Sequence, residues 1–307
     1  MKARAFDAMG TSWWVACDAP HLLSDAEAVV RDAESRLSRF APRSALSRLN
    51  RERISDDALL VDVLRAALRL RELTGGAFDP AVGGRLSALG YDRTFSALTG
   101  PTQVTETPPA TLRVTFWRGG VRVEGEGALD LGGIAKGFTV DRVLGRLRDG
   151  GAHRALVDGG GDIRGFGAGW PIGVGEGLVV RSDAGAVATS STRARRWSSS
   201  GGRPLHHLVS PVTGWPTTSG FETAVVIAAD AATADGLATA ALVDPAGVLP
   251  RLAALGAHAL LADDRGNWWT TPGAPLEGGP PSQRHRRGDA GSLSRRSTTP
   301  RPREVRQ

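Results

Sequence analysis

The chain reads as an α+β protein, with mixed sheets and helices packed against them. Three observations predict this. Apolar residues recur at helical spacing in some segments and alternate with polar ones in others. Strand-like and helix-like segments follow no regular βαβ rhythm, which argues against a doubly wound α/β fold. The glycine run Asp158-Gly-Gly-Gly-Asp162 is followed by Gly165, Gly167, Gly169 and Pro171, which no helix tolerates well. A Rossmann fingerprint needs a helix there, so the run reads as a tight turn that brings Asp162 to a pocket.

Trp13 to Cys17 reads as a strand after a Met9-Gly10-Thr11 turn. Ser24 and Glu27 have the spacing of a capping box, with Val29, Val30, Ala33 and Leu37 following at helical intervals. A second helix is expected from about Asp56 to Leu73, ended by Gly75-Gly76. Pro101 to Pro109 is a polar, proline-bearing loop. Leu112, Val114 and Phe116 alternate with polar residues, and Gly119-Gly120 turns the chain into Val121 and Val123, a β-hairpin. Asp130 to Gly137 is a glycine-rich loop entering a helix that runs to about Arg148. Further strands are expected at 155–157, 186–190, 205–209, 223–229, 257–262 and 268–270, with a helix over 232–243.

Residues 1–272 form the expected ordered unit, with room for two subdomains. Residues 273–307 are expected to be a disordered tail rich in Arg, Pro, Gly and Ser, too poor in apolar residues to bury a core. From Gly278 onward, eight arginines face Asp289 and Glu304, so this segment alone carries the formal charge of +6. The remainder is neutral, and no aromatic residues interleave the tail arginines, so no specific nucleic-acid partner is expected. No apolar run approaches the roughly 18 residues of a transmembrane helix. The first ten residues lack the apolar stretch of a signal peptide, which points to the cytoplasm. Cys17 is the only cysteine, which excludes an internal disulfide and a cysteine zinc cluster.

Four clusters could carry chemistry. In Asp130-Leu-Gly-Gly-Ile-Ala-Lys136-Gly137 the glycines allow close approach of an anion, and a helix N-terminus follows. Lys2 and Lys136 are the only lysines in an arginine-rich chain, so an internal lysine suggests a specific need for a compact charge. The alternative is a helix-capping loop with a surface lysine. Asp162 closes the second cluster. In the third, His206-His207-Leu-Val-Ser-Pro, a histidine before a proline turn could act as a base near neutral pH. Neighbouring strand residues point to opposite faces, so the two histidines do not share one metal. The fourth pairs Asp235 with Thr239 on one helix face, a carboxylate and a hydroxyl suited to Mg²⁺. A helix N-terminal Asp with an unrelated Thr would look the same.

In this order the clusters resemble the FAD:protein FMN transferase family, the ApbE family. The resemblance runs from Met9-Gly10-Thr11 to about Val243. It includes Pro42-Arg-Ser-Ala-Leu-Ser-Arg-Leu-Asn50, Phe78-Asp-Pro-Ala-Val-Gly83, Ala88-Leu-Gly90, the Asp130–Gly137 loop, Gly160 to Arg164, Ala188-Thr-Ser190, His207 to Pro211 with Thr213-Gly214, and Thr233 to Thr239. It implies an ApbE-like, T-fold-related architecture, with FAD as substrate and Mg²⁺ as the metal. It also implies a protein partner carrying an acceptor Ser or Thr. Asp235, Thr239 and the carbonyl of Gly133 are then the implied metal ligands. Met9, Leu89, Asp130, Lys136, Asp162 and Val209 are the implied FAD contacts. His207 is the implied catalytic base, with Asp130 second. The resemblance departs at Ser210, where the family commonly has aspartate. A magnesium-dependent FAD pyrophosphatase and a non-catalytic flavin binder are the alternatives.

Overall fold

A computed structural model describes residues 1–175, 177–278 and 294–296. Lys2–Ala8 (β1) and Thr11–Cys17 (β2) form an antiparallel hairpin. Its turn places Met9 at φ 52° and Gly10 at φ 71°. Pro20 opens a short 3₁₀ turn, Pro20–Leu22, that leads straight into Leu23–Leu37 (α1). The expected capping box therefore does not form. Ser24 already lies inside the helix, Leu22 is the N-cap without a side-chain bond, and Glu27 faces Arg4 and Arg31 at 2.5 and 2.8 Å.

Ala45–Glu52 (α2) begins where the Ser44 hydroxyl accepts from the Ser47 amide at 2.9 Å. Ile54–Ser55 (β3) follows, then Ala58–Leu73 (α3), capped by Asp57, and Gly83–Ala88 (α4). Arg113–Trp117 (β4) and Gly120–Glu124 (β5) form the expected hairpin and pair with β3 as a small sheet. Ala135–Asp149 (α5) leads to Ala155–Asp158 (β6) and Asp162–Phe166 (β7). Next come Pro171–Gly175 (β8), Leu178–Arg181 (β9), Ala186–Ser191 (β10), Arg196–Ser198 (β11) and Pro204–His206 (β12). The strand expected over 205–209 stops at His206, and residues 207–210 leave it as a loop. Phe221–Ala228 (β13), Ala231–Val243 (α6), Pro245–Leu252 (α7), His258–Asp263 (β14) and Trp268–Thr270 (β15) complete the body.

Two short strands lie where a disordered tail was expected. Leu276–Glu277 (β16) pairs with β9, and Ser294–Arg296 (β17) pairs with β15. Paired backbone amides hold both, which composition does not report. The rest of the expected tail lies outside the described residues. Among those described, no helix is long and apolar enough to cross a membrane.

Among the described residues the main sheet has nine strands in the order β1-β2-β6-β7-β10-β13-β14-β15-β17, with every neighbouring pair antiparallel. Its two faces follow from strand alternation. In β13, Ala224, Val226 and Ala228 belong to the core under the helices, while Val225 and Ile227 belong to the core under β8 and β9. In β10, Ala186 and Ala188 face the helices and Val187 faces away. Ser190 continues the first face. In β7, Ile163 faces away, which turns Asp162 towards the helices. The antiparallel sheet with segregated helices is the expected α+β class.

Candidate functional site

Helices α5 and α6 cross at unusually close range, and this approach assembles the site. A Cβ on Gly137 would lie 2.1 Å from the Ala231 carbonyl oxygen and 2.9 Å from the Asp235 Cβ. Only glycine fits at that crossing. With the backbones so close, the Gly137 amide donates to Asp235 Oδ2 at 3.2 Å. One turn further along α6, the Thr239 hydroxyl lies 3.0 Å from where a Gly133 Cβ would stand. Ser190 Oγ, on the helix-facing side of β10, is 3.3 Å from Thr239 Oγ1.

Lys136 opens α5 and turns inward. Its ammonium pairs with Asp162 Oδ2 and stands 3.5 Å from Asp235 Oδ2. Asp162 is 0 % exposed, and its other oxygen, Oδ1, has no hydrogen-bond partner. Burial, then the neighbouring Asp235, push the Asp162 carboxyl well above the usual range, with Lys136 opposing. Burial alone would depress the Lys136 ammonium, but Asp162 and Asp235 outweigh it and raise its pKa. Two carboxylates thus share one ammonium, and a buried oxygen is left over.

The tight turn between β6 and β7 brings Asp162 here. Gly160 and Gly161 take φ of 75° and 97°, and the Gly161 amide donates to Asp158 Oδ1 at 2.8 Å.

Asp130 anchors the lysine loop from outside. Its Oδ2 accepts from Arg39 Nε at 2.5 Å and its Oδ1 from the Gly132 amide at 2.8 Å. Arg39 also donates to the Tyr91 carbonyl at 2.6 Å and stacks on Phe40 and Tyr91, with its guanidinium carbon 4.2 and 4.9 Å from their ring centres. These rings belong to a second cluster. Leu86, Leu89, Tyr91, Trp197, Leu205 and Val209 are buried together, with Phe40, Phe95 and Trp215 at the margin. The Leu89 carbonyl accepts from Trp197 Nε1 and from Thr102 Oγ1, each at 3.0 Å.

His207 lies just past the end of β12. Its Nδ1 is buried without a hydrogen-bond partner. Burial, then Arg195 and His206, push the imidazole down to about 3, so it is neutral at physiological pH. His206 has a structural role. Its Nε2 donates to the Thr217 carbonyl at 3.1 Å, and its Nδ1 accepts from the Leu208 amide at 3.3 Å. Ser210 closes the following turn, where its amide donates to the Trp215 carbonyl at 2.9 Å and its hydroxyl accepts from the Thr213 amide at 3.3 Å.

The sequence-predicted residues thus fall into two neighbouring groups. Gly133, Lys136, Asp162, Asp235 and Thr239 come together at the helix crossing, and Leu89 and Val209 lie in the aromatic cluster. Asp130 is tied to that cluster through Arg39. Met9 sits at the β1–β2 turn, its amide donating to Glu34 Oε1 at 2.6 Å. Sequence reasoning assigned no role to Arg39, Tyr91, Ser190 or Arg195. Strand alternation from Ala186 and Ala188 would have placed Ser190 on the helix face. The arginines carry no local signal.

The fold is that of solved flavin transferases of the ApbE type. The ApbE protein from Thermotoga maritima superposes with a TM-score of 0.73 at 29% identity, over 87% of this chain and 96% of that one. The flavin transferase ApbE from Vibrio cholerae gives 0.69 at 23%, over 88% and 96%. In sequence, the FAD:protein FMN transferase of Treponema pallidum is 32% identical over 258 residues, 72% of this chain and 70% of that protein. The Haemophilus influenzae protein of the same name is 27% identical over 249 residues, 69% of each. The ApbE family model matches residues 9–261, and the chain belongs to that family.

Proposed function

We propose that this chain transfers FMN from FAD to a Ser or Thr hydroxyl of an acceptor protein, with Mg²⁺ bound, and releases AMP. The observation that carries the reading is the meeting of Asp235, Thr239 and Gly133 with Lys136 and Asp162 at one helix crossing. Family membership supports FMN transfer from FAD, and this cluster is our candidate for the place of the diphosphate.

The cluster fits a divalent cation. Asp162 and Asp235 meet at a single ammonium, a bound cation would relieve the burial and crowding that raise the Asp162 carboxyl, and Asp162 Oδ1 is a buried oxygen without a partner. The Thr239 and Ser190 hydroxyls add hard oxygen donors of the kind Mg²⁺ takes. Asp235, Thr239 and the Gly133 carbonyl would hold the ion. When bound, it would supply charge neutralisation of the diphosphate.

The chain's own residues do the rest. Burial holds the free His207 imidazole too low to be the base near neutral pH that its sequence position suggests. An anionic diphosphate beside it would raise it, so that it accepts the proton of the acceptor hydroxyl, a weak nucleophile without a base. The hydroxyl oxygen forms a bond to the FMN phosphorus, and the bond from that phosphorus to the bridging oxygen breaks. AMP leaves with that oxygen and its electron pair. Lys136 keeps a positive charge beside the developing phosphoryl charge. Asp130, held by Arg39 and the Gly132 amide, anchors the loop that presents it. Leu89, Val209 and the rings around them would offer an apolar wall for the flavin, with Met9 a further contact from the β1–β2 turn.

The test is incubation of the protein with FAD, Mg²⁺ and a candidate acceptor, followed by mass spectrometry of the acceptor and chromatography of released nucleotide. Transfer adds the FMN mass to the acceptor with one AMP per event. His207→Ala should slow it by about a hundred- to ten-thousandfold, the range of a placed base. Asp235→Ala should remove its response to Mg²⁺. Free FMN and AMP with an unmodified acceptor would establish the pyrophosphatase instead. FAD binding without AMP would leave only a flavin binder.

A further inference from the structure

Three arginines stand between the end of β10 and the start of β11, Arg193 and Arg195 in the link and Arg196 as the first residue of β11, and they are used differently. Arg193 and Arg196 both pair with Glu222 on β13. Arg195 lies between them, partly buried, and among the described residues it makes no ion pair with a carboxylate. Its guanidinium reaches back to the β1–β2 turn, where Nη2 stands 3.6 Å from the Cβ position of Gly10. It also faces the Tyr91 phenol, and its charge acts on both His207 and Lys136. The carboxylates nearest Lys136, Asp162 and Asp235, are both committed to that lysine. A partly buried guanidinium bonded to a phenol and set next to an imidazole, without a carboxylate partner among the described residues, can still take an anion on its free edge.

We infer that Arg195 binds a phosphate of the dinucleotide substrate, forking onto the diphosphate from the His207 side. The inference rests on the transferase reading above and adds to it a residue whose planar fork can grip two phosphate oxygens at once. Gly10 is set by its φ of 71°, and a Cβ there would stand at ordinary contact distance, 3.6 Å, from the guanidinium, so the arm lies directly against the turn. Arg195 is therefore a substrate-binding residue placed where charge collects as AMP departs.

The test measures FAD affinity by flavin fluorescence at fixed Mg²⁺, and displacement of that FAD by inorganic pyrophosphate, a ligand that presents phosphate alone. Arg195→Ala and Arg195→Gln should each weaken both ligands by roughly ten- to a hundredfold, the scale of hydrogen bonds to a charged group. Arg195→Lys should recover part of the loss. Arg193→Ala, which removes the neighbouring charge from the Glu222 pair, should leave both affinities at the wild-type value. Unchanged pyrophosphate affinity in both Arg195→Ala and Arg195→Gln would overturn the assignment while leaving the transferase reading intact. A wild-type protein that binds neither FAD nor pyrophosphate would overturn both together.

Discussion

The acid–lysine cluster stands on regular structure: α5, α6, β7 and β10 each place one or more of its side chains. The aromatic cluster that holds Leu89 and Val209 stands on loops, on the short helix α4 and on the three-residue strands β11 and β12. Both are buried, yet they are fixed by different means. In the first, a glycine-to-backbone contact between helices sets the positions of Asp235 and Thr239, and strand alternation sets Asp162 and Ser190. In the second, ring packing and two hydrogen bonds to one carbonyl, that of Leu89, hold the loops. Helices and strands place side chains more accurately than loops do. Charge needs that accuracy, since an unpaired buried ion is costly, whereas apolar rings tolerate small shifts.

Breaking the helix crossing should have the largest effect. Gly137→Ala would force a methyl group towards the Ala231 carbonyl and the Asp235 Cβ. The expected loss is about 3 kcal/mol or more, at the upper end of overpacking effects, measured by urea unfolding. Magnesium-dependent transfer should fall with it, because α6 and Asp235 must move. A variant with wild-type stability would mean that the crossing is soft.

The loop that leaves β12 should also give the molecule an acid sensitivity, centred on His207. His207 resists protonation down to about 3 when folded, while in the unfolded chain it takes up its proton near the usual 6.5. Between those values the unfolded state binds more protons, so stability rises with pH and is lost as pH falls. The contribution is up to about 1.4 kcal/mol per pH unit. Unfolding midpoints of wild type and His207→Gln, compared at pH 7 and pH 5, should diverge, with the variant less acid-sensitive. Parallel curves would show that the imidazole titrates normally.

Trp197→Phe should be the mildest of the three. It keeps most of the ring but leaves the Leu89 carbonyl with Thr102 as its remaining donor. About 1 kcal/mol of stability is at stake, the net worth of one hydrogen bond. Flavin affinity should change less than tenfold, with catalysis by the polar half unaffected. A collapse of transfer here would erase the distinction between the two halves.

The same distinction governs what the amino-acid sequence reveals. Asp235 and Thr239 are legible because one helical turn separates them, and the Asp130–Gly137 loop because glycines before a helix have a plain physical use. The partnership of Lys136 with Asp162 and Asp235 is not legible, since a sheet and a helix crossing bring them together across distant parts of the chain. Strand β1 and helix α2 escape pattern reading because β1 is a mostly exposed edge and α2 is only eight residues long. The misplaced start of α1 has a similar cause: Ser24 and Glu27 satisfy a spacing rule, but Pro20 starts the turn earlier. Arg39 and Arg195 look like any other arginine until their neighbours are known.

Arg39 has a consequence of its own. Its 8 % exposed side chain grips the lysine loop through Asp130 with one edge and lies against Phe40 and Tyr91 with its flat face. A single rigid plane is thus a strut between the end that handles charge and the end that handles rings. Damage on one side is felt on the other, and substitutions at Asp130 and Tyr91 should not sum when combined, although the two side chains belong to different clusters.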